Sequence, residues 1–209
     1  MTEPIVEAGL SNAEFLERHA RAGRIGLVGG ASPIDRAIAI AQKPITRAGR
    51  PSAWSHAFLF QGRRADGQHW VIESDLEFHR KHVRLGVQEN RASKYADERE
   101  WPALAILDVG LDAESEARVL ALALEMVATR VRYSLRELAG TLLALHRPGR
   151  RAQENPLARE HAVFCSAFVQ HVFKESGIDL VPDVDVKHTT PEDLSRSPRA
   201  GTLWVRPAR

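Results

Sequence analysis

The chain has 209 residues, 44% of them hydrophobic, which suffices for one well-buried core or at most two small ones. Lys+Arg 29 stand against Asp+Glu 27, a net charge of +2 with no arm of basic residues interleaved with aromatics, so composition argues against a nucleic-acid partner. The single cysteine excludes an intrachain disulfide. The acidic start MTEPIVEAGLSNAEF has no apolar signal core, and no apolar run reaches the ~18–20 residues of a membrane span. A soluble cytoplasmic protein without stable membrane insertion is therefore expected.

In chain order, Ser11-Asn-Ala-Glu14 has capping-box spacing ahead of a short amphipathic helix to about Arg21. RIGLVGG (24–30) predicts a strand ending in glycines, and Ser32-Pro33-Ile-Asp35 predicts a helix with proline in its first turn. WSHAFLF (54–60) and HWVIES (69–74) flank the Asp-Gly-containing loop QGRRADGQ, a hairpin signal; alternating Val83, Leu85 and Val87 predict a third strand. PALAILDV (102–109) is short enough for a buried strand. From Asp112 the pattern turns helical to about Thr129, and a second capping box, Ser134 to Glu137, leads a helix to about Leu145. Residues 146–160 form a polar, proline-containing loop, in which RRAQ (150–153) reads as solvated surface. HAVFCSAFVQHVFKESG (161–177) follows as a helix closed by Gly177, then a short helix at Thr190-Pro191-Glu-Asp193 and a strand TLWVR (202–206). No linker or repeat divides the chain. The expectation is an α+β fold with a central antiparallel meander, as a single domain over 1–209 in which 1–23 is an N-terminal helical extension.

The chemistry centres on Cys165. A lone cysteine on an apolar helix stripe can be inert packing. It can also be a reactive thiol, because a helix N-terminus and a nearby imidazolium both favour thiolate. His56 lies inside an apolar strand, where a buried polar side chain must find a partner. Glu73, in WVIES, is an equally odd place for a carboxylate. A symmetric closure of the 61–68 loop pairs Gln61 with Gln68, and His56 then opposes Glu73. Carboxylate, imidazole and thiol together are the ingredients of a cysteine hydrolase. Competing signals are weak. GRIGLVGG lacks a nucleotide-loop spacing, no GxSxG elbow exists, and His79 and His82 lack HExxH or cysteine partners, so no metal or organic cofactor is expected. His171 reads as surface.

Trp54-Ser55-His56-Ala57-Phe58-Leu59-Phe60, Val71-Ile72-Glu73-Ser74 and Phe164-Cys165-Ser166-Ala167-Phe168-Val169 resemble the circularly permuted NlpC-like papain-fold hydrolases, the YiiX-like proteins distantly related to lecithin retinol acyltransferase. The order His, polar residue, Cys is the permuted one. RIGLVGGASPIDRAIAIAQ and HTTPEDLSRSP (188–198) resemble segments flanking those motifs, so the likeness spans roughly 24–198. Ala167 stands where the family commonly has an acidic residue, and Phe58 where it favours a small one. The resemblance implies a papain-like fold, with central antiparallel sheet packed against helices. It also implies an amidase, peptidase or lipid esterase, or an acyltransferase, acting on a small-molecule, peptide or lipid acyl substrate through Cys165, His56 and Glu73. Tyr133, in VRYSLRE, matches a family tyrosine that could donate to an oxyanion; a helix-edge tyrosine packed on the core is the structural alternative. Ser166 and Trp54 are further substrate-binding or oxyanion candidates. Against the enzyme stands a catalytically silent domain using the same cleft for a peptide or lipid. Export as an effector by a signal-less machine is compatible with either.

Overall fold

The computed structural model describes residues 3–79, 82–129 and 165–208, with the backbone alone over 75–79 and 82–85. The predicted 134–145 helix, the 146–160 loop and Tyr133 lie outside the described residues.

Four helices begin where their caps dictate. Ser11 accepts from the Glu14 amide while Glu14 reaches back to the Ser11 amide, opening α1 (Asn12–His19). Ser32 and Asp35 do the same for α2 (Pro33–Ala41), with proline in its first turn. Asp112 accepts from the Ser115 amide at the start of α3 (Ala113–Ala128). The cysteine helix is α4 (Cys165–Glu175), and Gly177 follows it at φ 86. Thr190 and Asp193 box the start of α5 (Pro191–Ser195).

The strands are β1 (Ile5–Val6), β2 (Ile25–Gly29), β3 (His56–Arg63), β4 (His69–His79), β5 (His82–Arg91), β6 (Ala103–Asp108) and β7 (Thr202–Arg206). They form one sheet in the order β1-β7-β6-β2-β3-β4-β5. The expected meander covers β2 to β5 only. Strand β6 crosses to the other side of β2, and β7 continues outward from it. At that edge β1 runs parallel to β7, so the sheet is not wholly antiparallel. β1 is two residues long, too short for an alternation signal.

Alternation along β2, β3 and β4 splits the core into two layers. On one face Ile25, Leu27, Ala57, Leu59 and Ile72 pack with Val119 and Ala123 of α3 and with Phe168, Val169, Val172 and Phe173 of α4. On the other, Val28, Phe58, Phe60 and Val71 pack with Phe15 and Leu16 of α1 and with Tyr95, the last residue of a 3₁₀ turn over Ala92–Tyr95. Gly26 pairs with Phe58 across β2 and β3, and a Cβ on Gly26 would lie 2.1 Å from the Phe58 ring. The missing side chain lets that ring lie flat across the sheet, stacked on Tyr95 with centroids 4.3 Å apart. Among the described residues, no helix is long and apolar enough to cross a membrane.

Candidate active site

His56 is the first residue of β3 and Glu73 the fifth of β4. The hairpin does not close as the symmetric loop predicts. A bulge between Phe60 and Gly62, with Gly62 at φ 102, lengthens β3, and the turn tightens to residues 64–68. Leu59 therefore pairs with Ile72, two positions away from the expected register. An even slip keeps every side chain on its original face. Glu73 falls in the row of Phe58, and His56 meets it diagonally: His56 Nε2 and Glu73 Oε2 are 2.7 Å apart. The pairing changes from opposed to diagonal; the contact is made.

Glu73 is fully buried and accepts from four donors. Oε1 accepts from Asn90 Nδ2 at 2.7 Å and from Lys94 Nζ at 3.0 Å; Oε2 accepts from His56 and from the Tyr95 hydroxyl. Burial by itself would raise the carboxyl pKa. The His56 hydrogen bond, the Lys94 and His56 charges and the Tyr95 hydroxyl overcome it and hold Glu73 well below the usual carboxylate range. Glu73 is thus a permanent anion at neutral pH. With Nε2–H donating to it, Nδ1 is the basic atom of the His56 imidazole.

Asn90, Lys94 and Tyr95 did not stand out in the sequence. Asn90 is in β5, beside the row that pairs Glu73 with Gln88, and a β4–β5 register drawn in advance would have brought it within a diagonal of Glu73. Lys94 and Tyr95 belong to the 3₁₀ turn, whose sequence ASKY resembles any polar connection.

Cys165 is the first described residue of α4 and is 8% exposed. Helix α4 packs against β3 and β4, the strands that carry His56 and Glu73. Its apolar stripe covers the Ala57, Leu59 and Ile72 face, whereas His56 lies beside Phe58 and Tyr95, each ring centroid 6.2 Å from its own, on the other face. His56 is the first residue of β3, the strand on which α4 makes most of its sheet contacts. Ser166 is fully buried, with Oγ donating to the Thr189 carbonyl at 2.7 Å, which ties α4 to the segment before α5. Trp54 is buried in the α4-side core; its carbonyl accepts from Gln42 Nε2 at 2.8 Å and its amide donates to Ser52 Oγ at 3.0 Å. His171 is half-buried and lines an open pocket of about 250 Å³ between α3 and α4. His79 and His82 pair across the β4–β5 backbone.

No family model and no curated protein matches the chain. Among solved structures, the crystal structure of metalloprotein YiiX from Escherichia coli O157:H7 (DUF1105) is similar in fold. The likeness covers 90% of this chain and 97% of that one, at 14% identity and a TM-score of 0.51. A metal does not fit the Glu73 cluster. Both carboxylate oxygens already accept hydrogen bonds, one of them from the Lys94 ammonium, which would repel a cation. Among the described residues, no three His, Cys, Asp or Glu side chains are grouped to hold a metal ion.

Proposed function

We propose that the protein is a cysteine hydrolase or acyltransferase of the permuted NlpC-like papain type, with Cys165 as nucleophile, His56 as base and Glu73 orienting His56. The observation that carries the reading is a fully buried carboxylate 2.7 Å from an imidazole, on the two strands against which the cysteine's helix packs. A protein gains little stability from burying such a group compared with apolar packing, so an inward-facing His–Glu pair points to chemistry. The fold likeness to YiiX agrees with this family; the metal in that protein's name is not carried over.

In this mechanism His56 Nδ1 takes the Cys165 proton, and the thiolate attacks the carbonyl carbon of an amide, ester or thioester. The amide N–H of Cys165, at the first turn of α4, donates to the developing oxyanion, a contact worth about 3–4 kcal/mol per donor in other enzymes. His56 returns the proton to the leaving group as the carbon–heteroatom bond breaks, giving a thioester on Cys165. Water or another nucleophile, deprotonated by His56, then attacks that thioester and releases the acyl group. Glu73 keeps its charge throughout and stabilises the transient imidazolium.

A silent peptide- or lipid-binding domain is the second reading, favoured by the placement of the α4 stripe and the His56 ring on opposite faces of β3. Two measurements separate them. For the enzyme, iodoacetamide should label native Cys165 faster than free cysteine near neutral pH, the kinetic mark of an activated nucleophile. Turnover of a fluorogenic ester and amide panel should fall at least about 10³-fold in Cys165→Ala. Equal turnover by wild type and variant removes Cys165 as nucleophile, and slow labelling favours the silent domain.

A further inference from the structure

Beside His56 and Glu73 the cluster holds one more charge. Lys94 Nζ lies 3.0 Å from Glu73 Oε1, on the carboxylate oxygen opposite the one that holds His56. Its side chain is about a quarter exposed, so its ammonium stays hydrated on one side while it touches a fully buried anion on the other. That arrangement has an electrostatic consequence. A buried carboxylate beside an imidazole strongly favours imidazolium, and an imidazole held as imidazolium cannot accept a proton. Lys94 neutralises that carboxylate. With Lys94 present, His56 neutral leaves the triple of Lys94, Glu73 and His56 uncharged, and protonating it adds a net positive charge to a buried site.

We infer that Lys94 is a positioning residue that tunes the base: by pairing with Glu73 it keeps His56 from being locked as imidazolium, so that the ring can cycle its proton. The inference rests on the reading of His56 as general base, although the titration that tests it does not. Several titratable or charged groups adjoin His56. They are Glu73 on β4 and Tyr95 on the 3₁₀ turn, with Lys94 on the far side of Glu73; Asp35 of α2 accepts from Ser55 Oγ at 2.7 Å, one residue before His56, and α4, which carries Cys165, packs on β3. Glu73 favours imidazolium, and Lys94, paired with it at 3.0 Å, is the counterweight that the geometry supplies.

The test is an NMR titration of the His56 ring in a Cys165→Ala background, which removes coupling to the thiol. Lys94→Met and Lys94→Gln should each raise the His56 midpoint by at least about one pH unit, a tenfold change in the imidazolium-to-imidazole ratio at fixed pH. Lys94→Arg, which keeps the charge, should leave it within about 0.3 units. An unchanged or lowered midpoint in the neutral variants overturns the inference. If neither neutral variant folds, Lys94→Arg decides: a midpoint that moves by a full unit despite the retained charge overturns it, and an unmoved one supports it. With Cys165 restored, the acid limb of the alkylation profile should move up with the His56 midpoint. A flat alkylation profile alongside a shifted titration would remove the enzyme reading while leaving the role of Lys94 in place.

Discussion

Glu73 joins complete burial to four hydrogen-bond donors, and its response to acid follows from that. Its folded pKa lies below the ordinary value of 4.5, so the stability it contributes is fully present above pH 4.5 and is lost as pH falls from there toward the folded pKa. Glu73→Gln leaves Lys94 without its anion and His56 without its acceptor charge. Its cost near pH 7 should be about 3–5 kcal/mol, toward the lower end because Lys94 retains contact with solvent. Urea unfolding of both proteins across pH should show the gap at its widest above pH 5 and closing below 4.5; a gap that widens in acid would contradict the assigned ionisation. At this scale the sequence made the pair legible, because histidine and glutamate inside apolar strands are chemically out of place. It did not expose Lys94, whose charge in a polar turn looks solvated until the fold brings it over Glu73.

At the scale of elements, the capping boxes at Ser11, Ser32 and Thr190 and the Asp112 cap could be read directly, because each is a local hydrogen-bond pattern spanning three residues. The hairpin could be read only up to its register. The bulge before Gly62 depends on backbone conformation that composition does not encode, and it moved the pairing by two. The contact between His56 and Glu73 survived because the slip was even; a slip of one would have put them on opposite faces. Gly26 offers a test of the packing next to that site. Gly26→Ala drives a methyl group into the Phe58 ring, which its stack on Tyr95 prevents from turning aside. The expected cost is about 1–3 kcal/mol by thermal or urea denaturation. Much of it should be recovered in the Gly26→Ala, Phe58→Leu double variant relative to the sum of the singles. Strict additivity would show that the ring is free to move.

For the molecule as a whole, the sheet order brings sequence-distant segments together in ways no local pattern announces. Strand β6 lies against β2 rather than beside β5, and the chain's last strand closes between β6 and β1. Arg206, in β7, is 1% exposed; its guanidinium donates to the Leu10 and Pro102 carbonyls and pairs with Glu98. Its sequence context, LWVRP, suggested only a strand end. Arg206→Met should preserve the strand's apolar bulk while leaving two carbonyls unsatisfied, at a cost of about 1.5–3 kcal/mol. Glu98 is part-exposed and can turn to solvent, which limits the loss. A denaturation midpoint equal to wild type would mean that these carbonyls find other donors.

The first residue of α1 has a reach beyond its own helix. Asn12 is fully buried and its Nδ2 donates to the carbonyls of Tyr95, at 2.9 Å, and Trp101, at 2.8 Å. The backbone that presents Lys94 and Tyr95 to Glu73 is therefore moored from the N-terminal side of the chain. Anyone shortening this protein before Arg24 for expression would cut that mooring, and the imidazole's surroundings would slacken with no residue of the site itself having been touched.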